Sequence, residues 1–176
     1  MHHTYYLSLG ANMGDRLRNL QMALDMISST LPDTRIMKVS DVYETEPVEV
    51  TEQPLFYNAV AVVTSPLEPD DMMSMLLGIE SSLGRKRTIR FGPRPVDIDM
   101  LLCDDMEISH EPHLIVPHPR MHERAFVLIP LAQIAPSTLH PVARRTIADL
   151  LDAVGGKEGV AWVPKFLRKG SAPIES

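Results

Sequence analysis

The sequence predicts an α+β protein in which helices pack on an antiparallel sheet. Three observations support this class. The length of 176 residues suits one domain, and the apolar and charged fractions, 44% and 23%, are those of an ordinary globular protein. The apolar residues also switch between the two-residue period of strands and the helical period. We divide the chain into a single domain, residues 1–160, and a polar C-terminal tail, residues 161–176.

The first half of the domain reads strand, helix, strand, strand. Residues 4–9 alternate as in a strand and end at a glycine. A helix is predicted over residues 15–30, because leucines recur there at helical spacing and an aspartate at the start suits a helix N-terminus. Residues 35–46 and 56–64 are rich in β-branched and aromatic side chains, which favours two strands.

The second half of the domain adds a helix and then a strand. Pro69 suits the first turn of a helix and Gly84 its end, while residues 95–103 are predicted to form a strand. The resulting order, β-α-β-β-α-β, predicts a ferredoxin-like fold with two helices on one face of the sheet. Beyond it, a strand at residues 107–109 and helices at 122–135 and 146–154 would form a C-terminal helical extension.

Composition excludes several classes of protein. The single cysteine, Cys103, excludes an intramolecular disulfide and a multi-cysteine zinc site, and it fits a reducing compartment. The sequence contains no run of 18 apolar residues, so we expect no membrane span. The net charge of −6 argues against binding to nucleic acid or anionic membranes. We therefore expect a cytoplasmic protein, a monomer or weak homodimer, that acts on small molecules. We assign no role to His2 and His3.

One segment departs sharply from the acidic average. Residues 85–94 contain five cationic side chains and no acid. An acidic protein that concentrates positive charge in one loop is expected to bind a small anionic ligand there, although a solvated basic loop is the alternative. The five cations are Arg85, Lys86, Arg87, Arg90 and Arg94.

Two aspartates follow this basic loop on the last predicted strand. Side chains repeat every two residues along a strand, so Asp97 and Asp99 point to one face and Ile98 to the other. Two adjacent carboxylates repel each other unless a cation lies between them. Mg²⁺ prefers such a pair together with phosphate oxygens, so the aspartates and the basic loop predict a magnesium and phosphate site.

Seven separated segments resemble, in the same order, those of the 6-hydroxymethyl-7,8-dihydropterin pyrophosphokinase family of folate biosynthesis. The resemblance spans residues 5–150. The segments are Leu-Ser-Leu-Gly-Ala-Asn (7–12), Tyr-Glu-Thr-Glu-Pro (43–47), Gln-Pro-Leu-Phe-Tyr-Asn-Ala-Val (53–60), Ile-Glu-Ser-Ser-Leu-Gly-Arg (79–85), Arg-Phe-Gly-Pro-Arg-Pro-Val-Asp-Ile-Asp (90–99), Val-Pro-His-Pro-Arg-Met (116–121) and Glu-Arg-Ala-Phe-Val-Leu (123–128).

The resemblance implies magnesium-dependent transfer of the pyrophosphoryl group of ATP to the hydroxymethyl group of the pterin, with AMP as the second product. It implies two Mg²⁺ ions on Asp97 and Asp99, and it makes these aspartates, with Arg85 and Arg94, the catalytic residues. A carboxylate is a plausible acceptor for the alcohol proton, and we offer Asp99 as that acceptor only as a hypothesis.

The resemblance also implies two sets of binding residues. Those for ATP are Glu80, Arg85, Arg87, Arg94, Met100, His118 and Arg124. Guanidinium groups suit the nucleotide because they bind phosphate through paired donors. Those for the pterin are Thr45, Pro47, Val48, Phe56, Asn58 and Phe126. Aromatic faces suit a flat heterocycle, and an amide can donate and accept hydrogen bonds at its edge. We expect loops 48–54 and 85–90 to close over the substrates.

Three other functions compete with this interpretation. A zinc site among His110, His113, His118 and His122 is disfavoured, because prolines on both sides of His118 interrupt any helix there. An RNA-binding module is disfavoured, because the predicted sheet lacks the aromatic pattern of such modules and the chain is acidic. A magnesium-dependent nucleotide-binding module without catalysis shares the aspartate pair, so the sequence leaves it open.

Overall fold

The computed structural model of the chain describes residues 1–46, 52–84 and 95–170. Within them lie four α-helices and ten strands. The helices are α1 (Arg16–Thr30), α2 (Pro69–Ser82), α3 (Ala125–Ile134) and α4 (Ile147–Ala153). The strands are β1 (His3–Ala11), β2 (Arg35–Val39), β3 (Val42–Thr45), β4 (Phe56–Ser65), β5 (Asp97–Cys103), β6 (Ile108–His110), β7 (Leu114–Val116), β8 (Leu139–His140), β9 (Arg145–Thr146) and β10 (Val160–Val163).

Six strands form one antiparallel sheet in the order β10-β3-β4-β1-β5, with β2 also paired to β4. The predicted strand over residues 35–46 is thus divided into β2 and β3. Ser40 lies at the break, where its Oγ accepts a hydrogen bond from the backbone N–H of Val60 at 2.8 Å. If β2 and β3 are counted together, the spatial order is that of the ferredoxin-like fold, which confirms the predicted class.

Each face of the sheet carries its own apolar core. Leu7 and Leu9 of β1 pack with α1 and α2 in the larger cluster. Val60 of β4 and Leu102 of β5 pack with α3 and α4 on the opposite face. The C-terminal helices therefore cover the sheet from the second side. None of the helices in the described ranges is both long enough and apolar enough to cross a membrane.

Local signals set the ends of α1 and α2. The Asp15 side chain accepts a hydrogen bond from the N–H of Arg18 at 3.1 Å and so caps α1, as expected of an aspartate at that position. Pro69 is the first residue of α2. Gly84 follows α2 with φ of +87°, a left-handed conformation that glycine adopts at low cost after a helix.

The predicted C-terminal tail does not begin as an unstructured segment. Its first residues belong to β10, which pairs with β3. Beyond that strand, Leu167 packs against the larger core, and the N–H of Arg168 donates to Gln21 of α1 at 2.8 Å. The boundary at residue 160 therefore cuts a strand, because a four-residue edge strand has too little periodicity to be recognised without its partner.

Candidate active site

Gly10 lies at the centre of the candidate site. In the register of the sheet, Gly10 of β1 pairs with Asn58 of β4 on one side and with Asp97 of β5 on the other. A Cβ atom at this glycine would lie 3.1 Å from Asn58 Oδ1 and 3.5 Å from the ring of Phe56. The missing side chain therefore lets the polar and aromatic groups of β4 lie across β1, on the face that carries α3.

Asp97 and Asp99 share one face of β5, as their spacing predicts. Both are partly exposed, whereas Ile98 and Met100 between and after them are buried in the larger core. The backbone N–H of Ile98 donates to Glu80 Oε1 of α2 at 3.3 Å. Helix α2 therefore supports, from behind the sheet, the short segment that carries the two carboxylates.

A bulge in β5 at Leu101 positions the segment that contains His118. Tyr6 pairs with Leu102 and Leu7 with Met100, so Leu101 is an extra residue in the pairing with β1. The backbone N–H of His118 donates to the carbonyl oxygen of Leu101 at 2.9 Å. This bond holds the Pro-His-Pro segment beside the strand that carries Asp97.

His118 is held in its neutral form. Burial, together with the charges of Arg124 and Arg120, lowers the pKa of His118 to about 4, and the charge of Asp97 partly opposes this shift. These electrostatic contacts show that the histidine, both arginines and the aspartate lie near one another. The His118 Nδ1 atom accepts a hydrogen bond from the backbone N–H of Arg120 at 3.2 Å.

The β4 side of the site contains a fixed amide. Asn58 is buried and donates through Nδ2 to Thr45 Oγ1 of β3 at 2.6 Å. The Thr45 hydroxyl thus fixes the orientation of the amide. No hydrogen bond to Asn58 Oδ1 occurs among the residues that the structure describes, so this oxygen is presented toward the face above Gly10.

The second aromatic ring comes from α3, on the same side of the sheet. Phe126 is partly buried and packs against the smaller core. The guanidinium of Arg124, the residue that precedes α3, lies 5.6 Å from the centre of this ring. The beginning of α3 therefore presents an aromatic face and a cation side by side.

Not every predicted site residue is placed by the structure. Two predicted nucleotide residues, Glu80 and Met100, have side chains on the opposite side of the sheet. Both are 2% exposed: Met100 packs in the larger core, and Glu80 accepts from the N–H of Ile98. The predicted residues outside the described ranges are Pro47, Val48, Arg85, Arg87 and Arg94, and the two loops expected to close lie wholly or partly there.

The structure adds residues that the sequence did not single out. Arg120 joins the group around His118. Asn12 donates through Nδ2 to Gln53 Oε1 at 2.8 Å and to the Pro54 carbonyl oxygen at 3.2 Å. Both belong to segments named in the resemblance, and that membership was the available signal.

The four histidines considered for zinc are not gathered into one site. His110 and His113 lie near Asp70, at 3.1 and 3.6 Å. His122 instead lies edge-on to His140. In residues 95–170, which contain all four histidines, they form no shared metal-binding group.

Comparisons with known proteins identify the family. A family model described as 7,8-dihydro-6-hydroxymethylpterin-pyrophosphokinase (HPPK) matches residues 6–136. A Pseudomonas aeruginosa protein named 2-amino-4-hydroxy-6-hydroxymethyldihydropteridine pyrophosphokinase is 40% identical over 159 residues, which cover 90% of this chain and 96% of that protein. A Bacillus subtilis protein of the same name is 42% identical over 134 residues, 76% of this chain and 79% of that protein.

Other relatives are much longer than this chain. The Pneumocystis carinii "Folic acid synthesis protein fol1" is 38% identical over 149 residues, but the chain spans 20% of its length. The fold is shared with a Plasmodium falciparum HPPK-DHPS structure containing pteroate, with a TM-score of 0.70, 18% identity and coverage of 86% of this chain and 42% of that one. Because the family model covers most of the sequence and full-length bacterial relatives match closely, the chain belongs to the HPPK family of pyrophosphokinases, as its motifs predict.

Proposed function

We propose that this chain transfers the pyrophosphoryl group of ATP to the hydroxymethyl group of 6-hydroxymethyl-7,8-dihydropterin. The supporting observation is that Gly10 has Asn58 and Asp97 as its two cross-strand partners. Neighbouring strands lie about 4.8 Å apart, so Asn58, the proposed pterin ligand, and Asp97, the proposed metal ligand, are about 10 Å apart with Gly10 between them. That spacing suits a pterin whose alcohol points toward a nucleotide phosphate.

The reaction is a displacement at the β-phosphorus of ATP. The alcohol oxygen of the pterin forms a bond to that phosphorus, and the bond from phosphorus to the oxygen of the α-phosphate breaks. AMP leaves, and the alcohol proton is lost. Little covalent chemistry is required of the protein, so its residues act by positioning and by electrostatic stabilisation.

The two aspartates fit the donor set that Mg²⁺ requires. They lie on one face of β5, and their cross-strand neighbours on β1, Ser8 and Gly10, are small. Asp97 and Asp99 would hold the ions. When bound, Mg²⁺ would offset charge on the phosphates and on the leaving group. The hypothesis that Asp99 accepts the alcohol proton remains part of this proposal.

The residues beside Asp97 suit the nucleotide phosphates. Arg124 and Arg120 provide guanidinium groups that remain charged at all working pH values. A neutral His118 adds a hydrogen-bond donor without requiring a further counterion. Arg85, Arg87 and Arg94 belong to this proposal as additional phosphate ligands, with Arg85 and Arg94 as the catalytic arginines.

The residues beside Asn58 suit the pterin. The Thr45 hydroxyl fixes the amide, and the Asn58 carbonyl oxygen can accept a hydrogen bond from an N–H of the heterocycle. Phe56 and Phe126 offer rings on the same side of the sheet for stacking. We include Pro47 and Val48 as residues of the loop that would close over the pterin.

The proposed setting is that of a small-molecule enzyme. Relatives carry names of folate synthesis, and the chain shares with them a pyrophosphokinase family that uses ATP. A monomeric or weakly dimeric state, the absence of nucleic-acid partners and a cytoplasmic location remain parts of the proposal. One relative, the Arabidopsis thaliana "Folate synthesis bifunctional protein, mitochondrial", is 41% identical over 137 residues.

The test is to incubate the protein with MgATP and 6-hydroxymethyl-7,8-dihydropterin and to identify the products by chromatography and mass spectrometry. We expect AMP and the pterin diphosphate in equal amounts, and neither product when the pterin is omitted. ADP as the nucleotide product would indicate an ordinary kinase. ATP binding without turnover would support the non-catalytic nucleotide-binding alternative.

A further inference from the structure

One arginine outside the predicted site connects both ends of the segment that joins β3 to β4. Arg16, the first residue of α1, donates through Nη1 to Glu44 Oε2 at 2.9 Å and to the Leu55 carbonyl oxygen at 2.9 Å. Glu44 immediately precedes Thr45, and Leu55 immediately precedes Phe56. A single guanidinium therefore fixes the residues next to two of the proposed pterin ligands.

The Arg16 guanidinium also packs on the ring of Tyr57. Its central carbon lies 3.7 Å from the centre of the Tyr57 ring, a close cation–π contact. Tyr57 lies between Phe56 and Asn58, and its side chain points to the face opposite theirs. Arg16 thus acts on β4 from the α1 side of the sheet, while the pterin residues project from the other side.

A cavity borders the Arg16 contacts. This cavity, of about 640 Å³, is lined by Arg16, Glu44, Asn12, Leu55 and three neighbours from the same two segments. Asn12 is 1% exposed and bonds to Gln53 and Pro54. Two side chains near the turn from β1 to α1, those of Asn12 and Arg16, therefore support residues 53–55, which lead into β4.

We propose that Arg16 is a positioning residue that steadies the end of the β3–β4 pairing, where Thr45 lies opposite Phe56, and thereby the shape of the pterin pocket. This inference rests on the proposed function, because it concerns how the same site recognises its pterin. Arg16 is not a catalytic residue, since its bonds are to the opposite face. Its loss is expected to weaken recognition of the pterin far more than recognition of ATP.

The experiment measures KM for each substrate and kcat in three variants. Arg16→Met keeps the length of the side chain and removes its donors and charge. Arg16→Lys keeps the charge but has no planar fork for two acceptors and an aromatic face. Arg18→Met is the matched control, because Arg18 is exposed on the same helix. Binding of the fluorescent pterin, measured by titration with a non-hydrolysable ATP analogue present, gives Kd independently of turnover.

For Arg16→Met we expect the pterin KM and Kd to rise by about tenfold, with the KM for ATP within about twofold of that of the parent protein. Arg16→Lys should recover part of the loss, and Arg18→Met should change neither constant. An equal change in both KM values, or an unchanged pterin Kd, would overturn the proposal. If Arg16→Met does not fold, Arg16→Lys and Glu44→Gln provide the same comparison.

This design separates two kinds of failure. If the parent protein forms no AMP with the pterin, the proposed function is wrong. If the parent protein is active and Arg16→Met binds the pterin as tightly as the parent does, only the role of Arg16 is wrong.

Discussion

The two ends of β5 place a histidine beside an aspartate with opposite results. At the C-terminal end, His3 donates through Nδ1 to Asp104 Oδ2 at 2.7 Å. This bond raises the pKa of His3, burial opposes it, and a contact with Glu68 adds to the rise. At the N-terminal end, burial and two arginines keep the pKa of His118 low even though Asp97 is near.

The comparison contrasts a structural ion pair with the proposed ligand site. At the His3 end, two carboxylates meet one imidazolium, and Asp104 Oδ1 also accepts from the N–H of Thr4 at 2.8 Å. At the His118 end, arginines and aspartates share a partly exposed face around a neutral ring. The same strand therefore carries charged groups at both of its ends, and the two ends hold their histidines in different protonation environments.

The His3 end also resembles a metal site in its residue types. His3, Cys103 and Asp104 bring ligand atoms within 4.8 Å of one another. Both ring nitrogens of His3 already contact carboxylates, and burial raises the pKa of the Cys103 thiol to about 12. His3 and Asp104 satisfy each other, and the Cys103 thiol donates to Met106 Sδ at 3.9 Å, so we interpret the group as an anchor for the start of β1.

The largest effect is expected from Asp97→Asn at the site end. Loss of one carboxylate should reduce turnover at least about a thousandfold, because the Mg²⁺ that would offset the phosphate charge loses one of its proposed ligands. The melting temperature should change little. Asp105→Asn, an exposed change just past the other end of β5, is the control and should leave turnover unchanged. Comparable activity in the two variants would contradict the distinction between the ends.

Gly10→Ala should give an intermediate effect. The new methyl group would lie 3.1 Å from Asn58 Oδ1, so the amide must move, and pterin affinity should fall by about tenfold. Gly78→Ala is the control, because a Cβ atom there meets nothing within 4 Å. That helical change should stabilise the protein by about 1 kcal/mol. Unaltered pterin binding in Gly10→Ala would remove this glycine from the proposed site.

The smallest effect is expected from His3→Gln, which should lower the free energy of unfolding by about 1 kcal/mol near pH 6. The folded-state pKa of His3 lies above its ordinary value of 6.5. The stabilisation from the charged histidine is therefore complete below pH 6.5, while the carboxylates are ionised, and is lost as the pH rises through the folded-state pKa. Chemical denaturation between pH 5.5 and 9 measures this, with exposed His2→Gln as the control. A difference that grows with pH would refute the ion pair, and turnover should not change.

Local sequence signals predicted much of the fold. The aspartate cap of α1, the proline that starts α2 and the alternation of Asp97 with Ile98 depend on neighbouring residues, and all three are confirmed. The ferredoxin-like order followed from the succession of strands and helices. The placement of α3 and α4 on the second face required the three-dimensional arrangement.

Contacts between distant residues could not be predicted in the same way. The partner of His3 is Asp104, which is 101 positions away in the sequence, so no neighbouring residue indicates the role of this histidine. Nothing near Glu80 in the sequence shows that the N–H of Ile98 needs an acceptor. Arg16 was overlooked for the same reason, since Glu44 and Leu55 meet it only after the sheet has formed.

The pairing of β10 with β3 has a consequence for the order of folding during synthesis. Val160 lies opposite Thr45, the residue that fixes Asn58. On the ribosome, β3 remains an open edge until residues 160–163 have left the exit tunnel. Strands β1 to β5 and helices α1 and α2 can assemble earlier, because they lie within the first 103 residues. The nascent chain therefore completes the outer border of the proposed pterin pocket only after its central strands have been made.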